Sequence, residues 1–256
     1  MMIGNRVAGR RARIGAAMVI AAIVACTGEH KSNESNDSPV SAGSSKSNAV
    51  PSAAASAPAG ASGAARRTVL FVGTSLTAGL GLEPDSAYPM LVQRKIDSAG
   101  LPFDVVNAGV SGETSAGLLD RLDWLLRGQF DVMVIETGAN DGLRGLPPAA
   151  LRANLEKALD RIKAERPDVH VVLVQMEALP NLGPKYAAAF HAAYPTVAKE
   201  KGATLIPFLL ADVAGHRELN QADGVHPNYV GERIVAGNVW KGFGTVLSSL
   251  AQARAP

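Results

Sequence analysis

The feature that most limits the fold of this chain is a regular alternation of short apolar runs with longer amphipathic segments. Five runs are rich in β-branched residues and lack the apolar–polar alternation of a strand with one wet face. They cover residues 68–73, 104–107, 131–136, 169–175 and 203–206. Such runs are typical of parallel strands whose two faces are both buried.

The segments between these runs have the periodicity of amphipathic helices. In the clearest one, apolar residues recur at three- and four-residue intervals from Leu151 to Ile162. Helices are also predicted over 86–99, 114–127, 185–201 and 229–249. The alternation predicts an α/β domain with three layers (α/β/α) around a five-stranded parallel sheet. In such a sheet, ligands and substrates bind beyond the carboxyl ends of the strands.

The N-terminal residues have the pattern of a bacterial lipoprotein signal. Four arginines occur within the first 13 residues, and the apolar run 14–25 that follows is too short to span a bilayer. That run ends at Cys26, the only cysteine, in a lipobox-like context. We predict a signal peptide over 1–25, lipidation of Cys26 and a lipid anchor to the membrane. The alternative is an ordinary secretory signal with an incidental cysteine.

The composition that follows the signal predicts a tether and then one folded domain. Residues 26–66 are mostly Ser, Ala, Gly, Asn and Pro, and they contain too little apolar surface to offset the chain entropy lost on folding. We therefore predict a disordered tether over 26–66 and one folded domain over 67–256. Because Thr27 stands where an Asp would favour retention in the inner membrane, the expected location is the periplasmic side of the outer membrane.

Charge and residue spacing exclude several classes of function. Removing the four arginines of the signal changes the formal net charge from +2 to −2, so the mature chain has no basic footprint for nucleic acid. With one cysteine, an intramolecular disulfide is impossible. His170, His191 and His216 lack the spacing of metal ligands, and we predict neither a metal nor another cofactor.

Three of the predicted strands end in small and polar residues. Ser75 follows the first strand, Gly112 follows the second and Asn140 follows the third. Taken singly, each has an ordinary interpretation. Ser75 could cap a helix rather than act as a nucleophile, and the glycines around it could cradle a phosphate. Gly112 could belong to a tight turn, and Asn140 could make only local hydrogen bonds.

A late turn supplies a carboxylate and an imidazole three residues apart. Asp223 and His226 lie in the segment DGVHPN, directly before the last predicted helix. An ionised Asp beside a His fixes the tautomer of the imidazole and stabilises the imidazolium that forms when the ring accepts a proton. The turn therefore contains the two groups that together activate a serine nucleophile.

In order and spacing, these four segments resemble the SGNH (GDSL) hydrolases, in particular the bacterial thioesterase/arylesterase/lysophospholipase branch. The resemblance implies a flavodoxin-like SGNH hydrolase fold, with Ser75 as nucleophile, His226 as base and Asp223 as the residue that orients the base. It also implies an oxyanion hole made of the backbone N–H groups of Ser75 and Gly112 and the side-chain amide of Asn140. One position departs from the Gly-Asp-Ser-Leu motif of the family, because Thr74 replaces its Asp.

The resemblance implies a serine esterase that hydrolyses small-molecule esters through an acyl-enzyme. Short-to-medium acyl or aryl esters are expected, with thioesters and lysophospholipids as further candidates. Residues 80–82 and 179–184 are expected to present apolar surface to the substrate. An O-acetyl esterase of envelope polysaccharides would use the same triad. A flavodoxin-like or ligand-binding lipoprotein is the alternative that is not an enzyme; the flavodoxin-like one gives Asp223 and His226 no role.

Overall fold

The structure, a computed structural model, describes residues 66–253. The five predicted strands are present in chain order: β1 (Arg67–Gly73), β2 (Phe103–Gly109), β3 (Val132–Glu136), β4 (His170–Val174) and β5 (Thr204–Ile206). They form one sheet in the order β2-β1-β3-β4-β5, and every neighbouring pair is parallel. The predicted five-stranded parallel sheet is confirmed.

The order of the strands places a crevice at the carboxyl end of β1. The chain leaves β1 for β2 on one side and later returns to place β3 on the other side. Gly73 pairs with Gly109 and Val72 pairs with Ile135, so these three strands end at nearly the same level. Loops that leave adjacent strands in opposite directions open a crevice between them, which is where doubly wound sheets bind ligands.

Seven α-helices surround the sheet in the described part of the chain. They are α1 (Ser75–Ala78), α2 (Tyr88–Ser98), α3 (Ser115–Leu126), α4 (Ala139–Leu143), α5 (Pro148–Glu165), α6 (Pro184–Lys201) and α7 (Tyr229–Gln252). Short 3₁₀ turns occur at Pro84–Ser86, Pro180–Leu182 and Arg217–Leu219. The five predicted helices correspond to α2, α3, α5, α6 and α7, whereas α1 and α4 lie in segments that were expected to be loops.

The core lies on both faces of the sheet. Helix α2 packs against α7 on one face, and α5 packs against α3 and α6 on the other. On the first face, Phe71 of β1 makes edge-to-face contacts with Tyr88 of α2 and Phe243 of α7, each at 5.8 Å between ring centroids. On the second face, the apolar stripe of α5 from Leu151 to Ile162 is fully buried. The three-layer α/β/α prediction is confirmed.

The predicted signal peptide, the lipidation of Cys26 and the tether, except for its last residue Arg66, lie outside the described residues. Among residues 66–253, none of the helices combines the length and the hydropathy that crossing a membrane requires. In the same residues, no three His, Cys, Asp or Glu side chains are grouped as a metal site would need.

Candidate active site

Ser75 stands at the first position of α1, directly beyond the carboxyl end of β1. Thr74 is the N-cap of this helix, since its hydroxyl accepts a hydrogen bond from the N–H of Leu76. The sequence left open that Ser75 caps this helix, but the residue that does so is Thr74. The Ser75 side chain is left to face the crevice, although the residue is only 8% exposed.

The late turn brings His226 onto Ser75. Ser75 Oγ lies 2.8 Å from His226 Nε2, and His226 Nδ1 lies 2.7 Å from Asp223 Oδ2. The other carboxylate oxygen of Asp223 accepts the N–H groups of Val225 and His226 at 2.9 and 3.0 Å. These backbone hydrogen bonds, with the bond to the imidazole, lower the pKa of Asp223 to about 2.

An ionised Asp223 determines the tautomer of the histidine. A carboxylate can only accept a hydrogen bond, so His226 Nδ1 carries the proton that is shared with Asp223. His226 Nε2 then presents a lone pair to the hydroxyl of Ser75. This arrangement can remove a proton from the serine as the oxygen attacks a carbonyl carbon.

Gln221 connects the turn that contains the histidine to the segment that contains the serine. Its backbone N–H donates to the carbonyl of His226 at 2.7 Å. Its side-chain amide donates to the carbonyl of Leu80 at 2.7 Å and to that of Pro227 at 3.0 Å. Because the N–H of Leu80 donates back to the carbonyl of Ser75 at 3.0 Å, one side chain fixes both segments relative to each other.

The three residues that the resemblance implies as hydrogen-bond donors, Ser75, Gly112 and Asn140, line the same cleft. The N–H of Ser75 sits at the first turn of α1, and Gly112 adopts a left-handed backbone (φ 80°) that favours glycine. Asn140 stands in the first turn of α4, after β3. One N–H of its amide donates to the carbonyl of Glu113 at 2.9 Å, which orients the group and leaves the second N–H for a ligand.

A buried carboxylate holds the residues on either side of Ser75. Glu136, the last residue of β3, is fully buried and accepts the N–H of Thr74 at 2.8 Å. The hydroxyls of Thr74 and Thr77 donate to the same oxygen, each at 2.9 Å. Burial raises the pKa of Glu136, and these donors partly oppose the shift. Gly73 is required beside this group, because a Cβ there would lie 2.7 Å from Glu136 Oε2.

Two further acidic residues hold the loops that carry the donors. Glu113 makes a bidentate pair with Arg121 of α3, at 2.5 and 2.8 Å. Asp141, which is buried, accepts the N–H and the hydroxyl of Ser115 at 2.8 and 2.5 Å. These contacts fasten the segments of Gly112 and Asn140 to α3.

Ser75 opens into a cleft of about 590 Å³. Most of its lining is apolar; the residues include Leu76, Leu80, Leu143, Met176, Ala178, Leu179, Pro180, Phe208, Leu210 and Val225. Leu80, Leu179 and Pro180 belong to the segments that were expected to present apolar surface, whereas Leu82 does not line the cleft. A cavity of this volume and polarity suits the acyl or aryl part of an ester.

The other histidines in the described part of the chain lie apart from Ser75 and His226. His170, at the start of β4, contacts the hydroxyl of Thr204 at 2.9 Å, and partial burial lowers its pKa. His216 lies on the surface, 3.4 Å from Glu218. His191 of α6 contacts Glu177 at 2.7 Å, and Glu177 lines the cleft. The sequence did not single out Glu177, although its position three residues after the end of β4 is a signal that would have found it.

The sequence matches one family model. Residues 71–234 match the GDSL-like Lipase/Acylhydrolase family, a range that contains Ser75, Gly112, Asn140, Asp223 and His226. Esterase TesA of Pseudomonas aeruginosa is 41% identical over 178 residues, which cover 69% of this chain and 88% of that protein. Thioesterase 1/protease 1/lysophospholipase L1 of Escherichia coli K12 is 37% identical over 174 residues, 68% of this chain and 81% of that protein.

Two solved structures of esterases are similar to this chain in both sequence and fold. The structure of TesA superposes with a TM-score of 0.67 at 39% identity, covering 70% of this chain and 99% of that one. The psychrotrophic esterase EstA of Pseudoalteromonas, inhibited by monoethylphosphonate, superposes with a TM-score of 0.67 at 32% identity, with coverage of 71% and 99%.

Proposed function

The chain belongs to the GDSL-like lipase/acylhydrolase family, and we propose that it is a serine esterase in which Ser75, His226 and Asp223 form the catalytic triad. It cleaves short-to-medium acyl or aryl esters through an acyl-enzyme. The observation that carries the assignment is the continuous contact from Ser75 Oγ to His226 Nε2 (2.8 Å) and from His226 Nδ1 to Asp223 Oδ2 (2.7 Å).

The geometry accounts for each step of the reaction. His226 removes the proton of Ser75 as its oxygen attacks the ester carbonyl, and Asp223 stabilises the imidazolium. The N–H groups of Ser75 and Gly112 and the amide of Asn140 stabilise the negative oxygen of the tetrahedral intermediate. His226 then protonates the leaving alcohol or thiol, and an activated water releases the acyl group in a second cycle.

The apolar cleft supports an acyl or aryl substrate over an acetylated glycan. Each buried methylene contributes about 0.8 kcal/mol, so each added acyl carbon should raise kcat/KM by up to roughly fourfold until the cleft is full. A series of p-nitrophenyl esters from acetate to decanoate tests this. A steady fall from acetate onward would instead favour the O-acetyl esterase that the sequence left open.

The nucleophile is tested by substitution and by labelling. Ser75→Ala should lower kcat by at least about 10⁴-fold with an unchanged circular dichroism spectrum, because no other group replaces the activated hydroxyl. A fluorophosphonate probe followed by peptide mapping should label Ser75. Labelling of Ser111, the other serine that lines the cleft, would refute the assignment.

We also propose that the protein is an exported lipoprotein, anchored through Cys26 on the periplasmic side of the outer membrane. The support is the sequence alone: a basic segment, a short apolar run and a single cysteine at its end. Incorporation of tritiated palmitate into the wild-type protein, and its loss in Cys26→Ser, tests the anchor. Fractionation of the envelope tests which membrane holds it.

A further inference from the structure

One ionisable side chain besides His226 lines the catalytic cleft. Glu177 lies three residues beyond the end of β4, at the carboxyl ends of the strands, and it lines the same cleft as Ser75 and His226. The residues around it in the lining, from Met176 to Pro180, are otherwise apolar. The triad and the oxyanion donors do not use this carboxylate.

Glu177 is held in a defined position. Its Oε1 atom accepts a hydrogen bond from the side-chain amide of Gln175 at 2.6 Å and lies 2.7 Å from His191 Nδ1. Gln175 is buried, which fixes the carboxylate from the side of the sheet. The side chain of Glu177 remains 30% exposed, so the carboxylate is not sealed into the core. Both contacts are to the same oxygen.

A fixed carboxylate in an apolar cavity discriminates between substrates by charge. Coulomb interactions strengthen as the surrounding dielectric falls, and a bound ester displaces water from the cleft. A positive group on the substrate is then attracted, and a negative group of the same shape is rejected. Given the esterase activity proposed above, we infer that Glu177 selects esters that carry a cationic group and disfavours anionic ones.

Of the other charges near the cleft, His191 opposes the charge of Glu177 when its imidazole is protonated, whereas the rest agree with this polarity or lie apart from it. Asp223 stands behind His226 with its side chain 47% exposed, and its negative charge has the same sign as that of Glu177. Arg144 is the cation beside the oxyanion donors, where it donates to the carbonyl of Gly112 at 2.9 Å. Arg144 does not line the cleft, whereas Glu177 does.

A pair of substrates that differ only in charge tests the inference. Butyrylthiocholine carries a quaternary ammonium, and S-(3,3-dimethylbutyl) thiobutyrate has the same shape with carbon in place of nitrogen. For the wild-type enzyme, we expect kcat/KM to be about tenfold higher for the cationic ester, as for one favourable charge pair in a partly solvated site. In Glu177→Gln the ratio should fall to about one. The substitution keeps the acceptor for Gln175.

Two further variants separate a charge effect from a structural one. His191→Gln removes the other partner of Glu177 but keeps the carboxylate, so the cationic ester should remain preferred. Glu165→Gln removes an exposed charge at the end of α5, and it should leave the ratio unchanged. If Glu177 acted only by holding α6 through His191, His191→Gln would abolish the preference as Glu177→Gln does.

The outcomes also distinguish this inference from the proposed function. Wild-type hydrolysis of the neutral thioester with no preference for the cationic one overturns the role of Glu177 and leaves the esterase intact. A preference that persists in Glu177→Gln also overturns it. Failure to hydrolyse either thioester or any p-nitrophenyl ester overturns the proposed function and, with it, the inference.

Discussion

Replacing Glu232 with glutamine should stabilise this protein, and the gain should grow as the pH rises. Glu232 lies in the first turn of α7 and is 2% exposed. Its carboxyl group accepts a hydrogen bond from the backbone N–H of Tyr88, at the start of α2. Among the described residues, no group donates to its Oε2 atom. A buried carboxylate with so few donors is far less stable charged than neutral.

The pKa of Glu232 gives the size of the effect. Burial raises it to about 8, from a normal value of 4.5. Because the folded-state pKa is the higher one, this group's stabilisation is complete below pH 4.5 and is lost as the pH rises through 8. Each unit of pKa corresponds to about 1.4 kcal/mol, so the loss should be roughly 3 kcal/mol at pH 7 and 4 to 5 kcal/mol at pH 9.

Urea unfolding of the wild type and Glu232→Gln at pH 5, 7 and 9 measures this difference. Glutamine keeps an acceptor for the N–H of Tyr88 and carries no charge at any pH. The two proteins should therefore unfold with nearly equal free energies at pH 5, and the variant should be more stable by several kcal/mol at pH 9. Glu165→Gln, at an exposed site, is the control. A difference that does not change between pH 5 and 9 would refute the reasoning.

Three other substitutions test the site and the loops around it. Asp223→Asn should lower kcat by about 10² to 10⁴-fold, because its amide would donate to His226 Nδ1 and leave the proton on Nε2; a wild-type kcat would contradict the proposed tautomer. Gln221→Met removes two side-chain hydrogen bonds and should lower kcat about tenfold, because the turn of His226 is no longer fixed to the segment of Ser75. Gln93→Met removes three side-chain hydrogen bonds and should lower stability by about 1–3 kcal/mol without changing kcat. Equal kcat for both variants would exclude the positioning role. Thr74→Asp should reduce the free energy of unfolding more at pH 8 than at pH 5, because it places a second carboxylate beside that of Glu136. Urea unfolding at the two pH values measures this, and equal losses at both would exclude like-charge repulsion.

The central strands of the sheet could be predicted from the sequence because they are buried and leave an uninterrupted apolar signal. The run 131–136 illustrates this, since all of β3 is buried. The edge strand β2, by contrast, was wrongly expected to be buried on both faces and is largely exposed or half-buried. Helices α1 and α4 could not be predicted in the same way. They have four and five residues, fewer than two turns, so neither shows a helical period. These two helices nevertheless place Ser75 and Asn140.

The candidate triad could be proposed from the sequence because Ser75 directly follows β1 and Asp223 and His226 share one short turn, in an order that resembles a known family, but the residues that position it could not. Gln221 looks like an ordinary loop residue until the fold brings Leu80 to it. Glu232 reads as a favourable acid in the first turn of a helix. Only the packing of α2 on α7 shows that it is buried against Tyr88. The roles of Gln221 and Glu232 depend on contacts between segments that are distant in sequence, and the periodicity of the sequence contains no information on such contacts.

The departure of Thr74 from the family motif has a physical explanation in the contacts of its neighbours. Thr74 and Glu136 are both fully buried, and the hydroxyl of Thr74 donates to the carboxylate of Glu136 at 2.9 Å. An Asp at position 74 would bury two carboxylates side by side, and one would have to be protonated. Threonine avoids that conflict and still caps α1. The cap and the contact with β3 both fix the backbone directly before Ser75. Threonine in place of the family's Asp therefore preserves the position of the nucleophile and removes one carboxylate from the buried group beside Glu136.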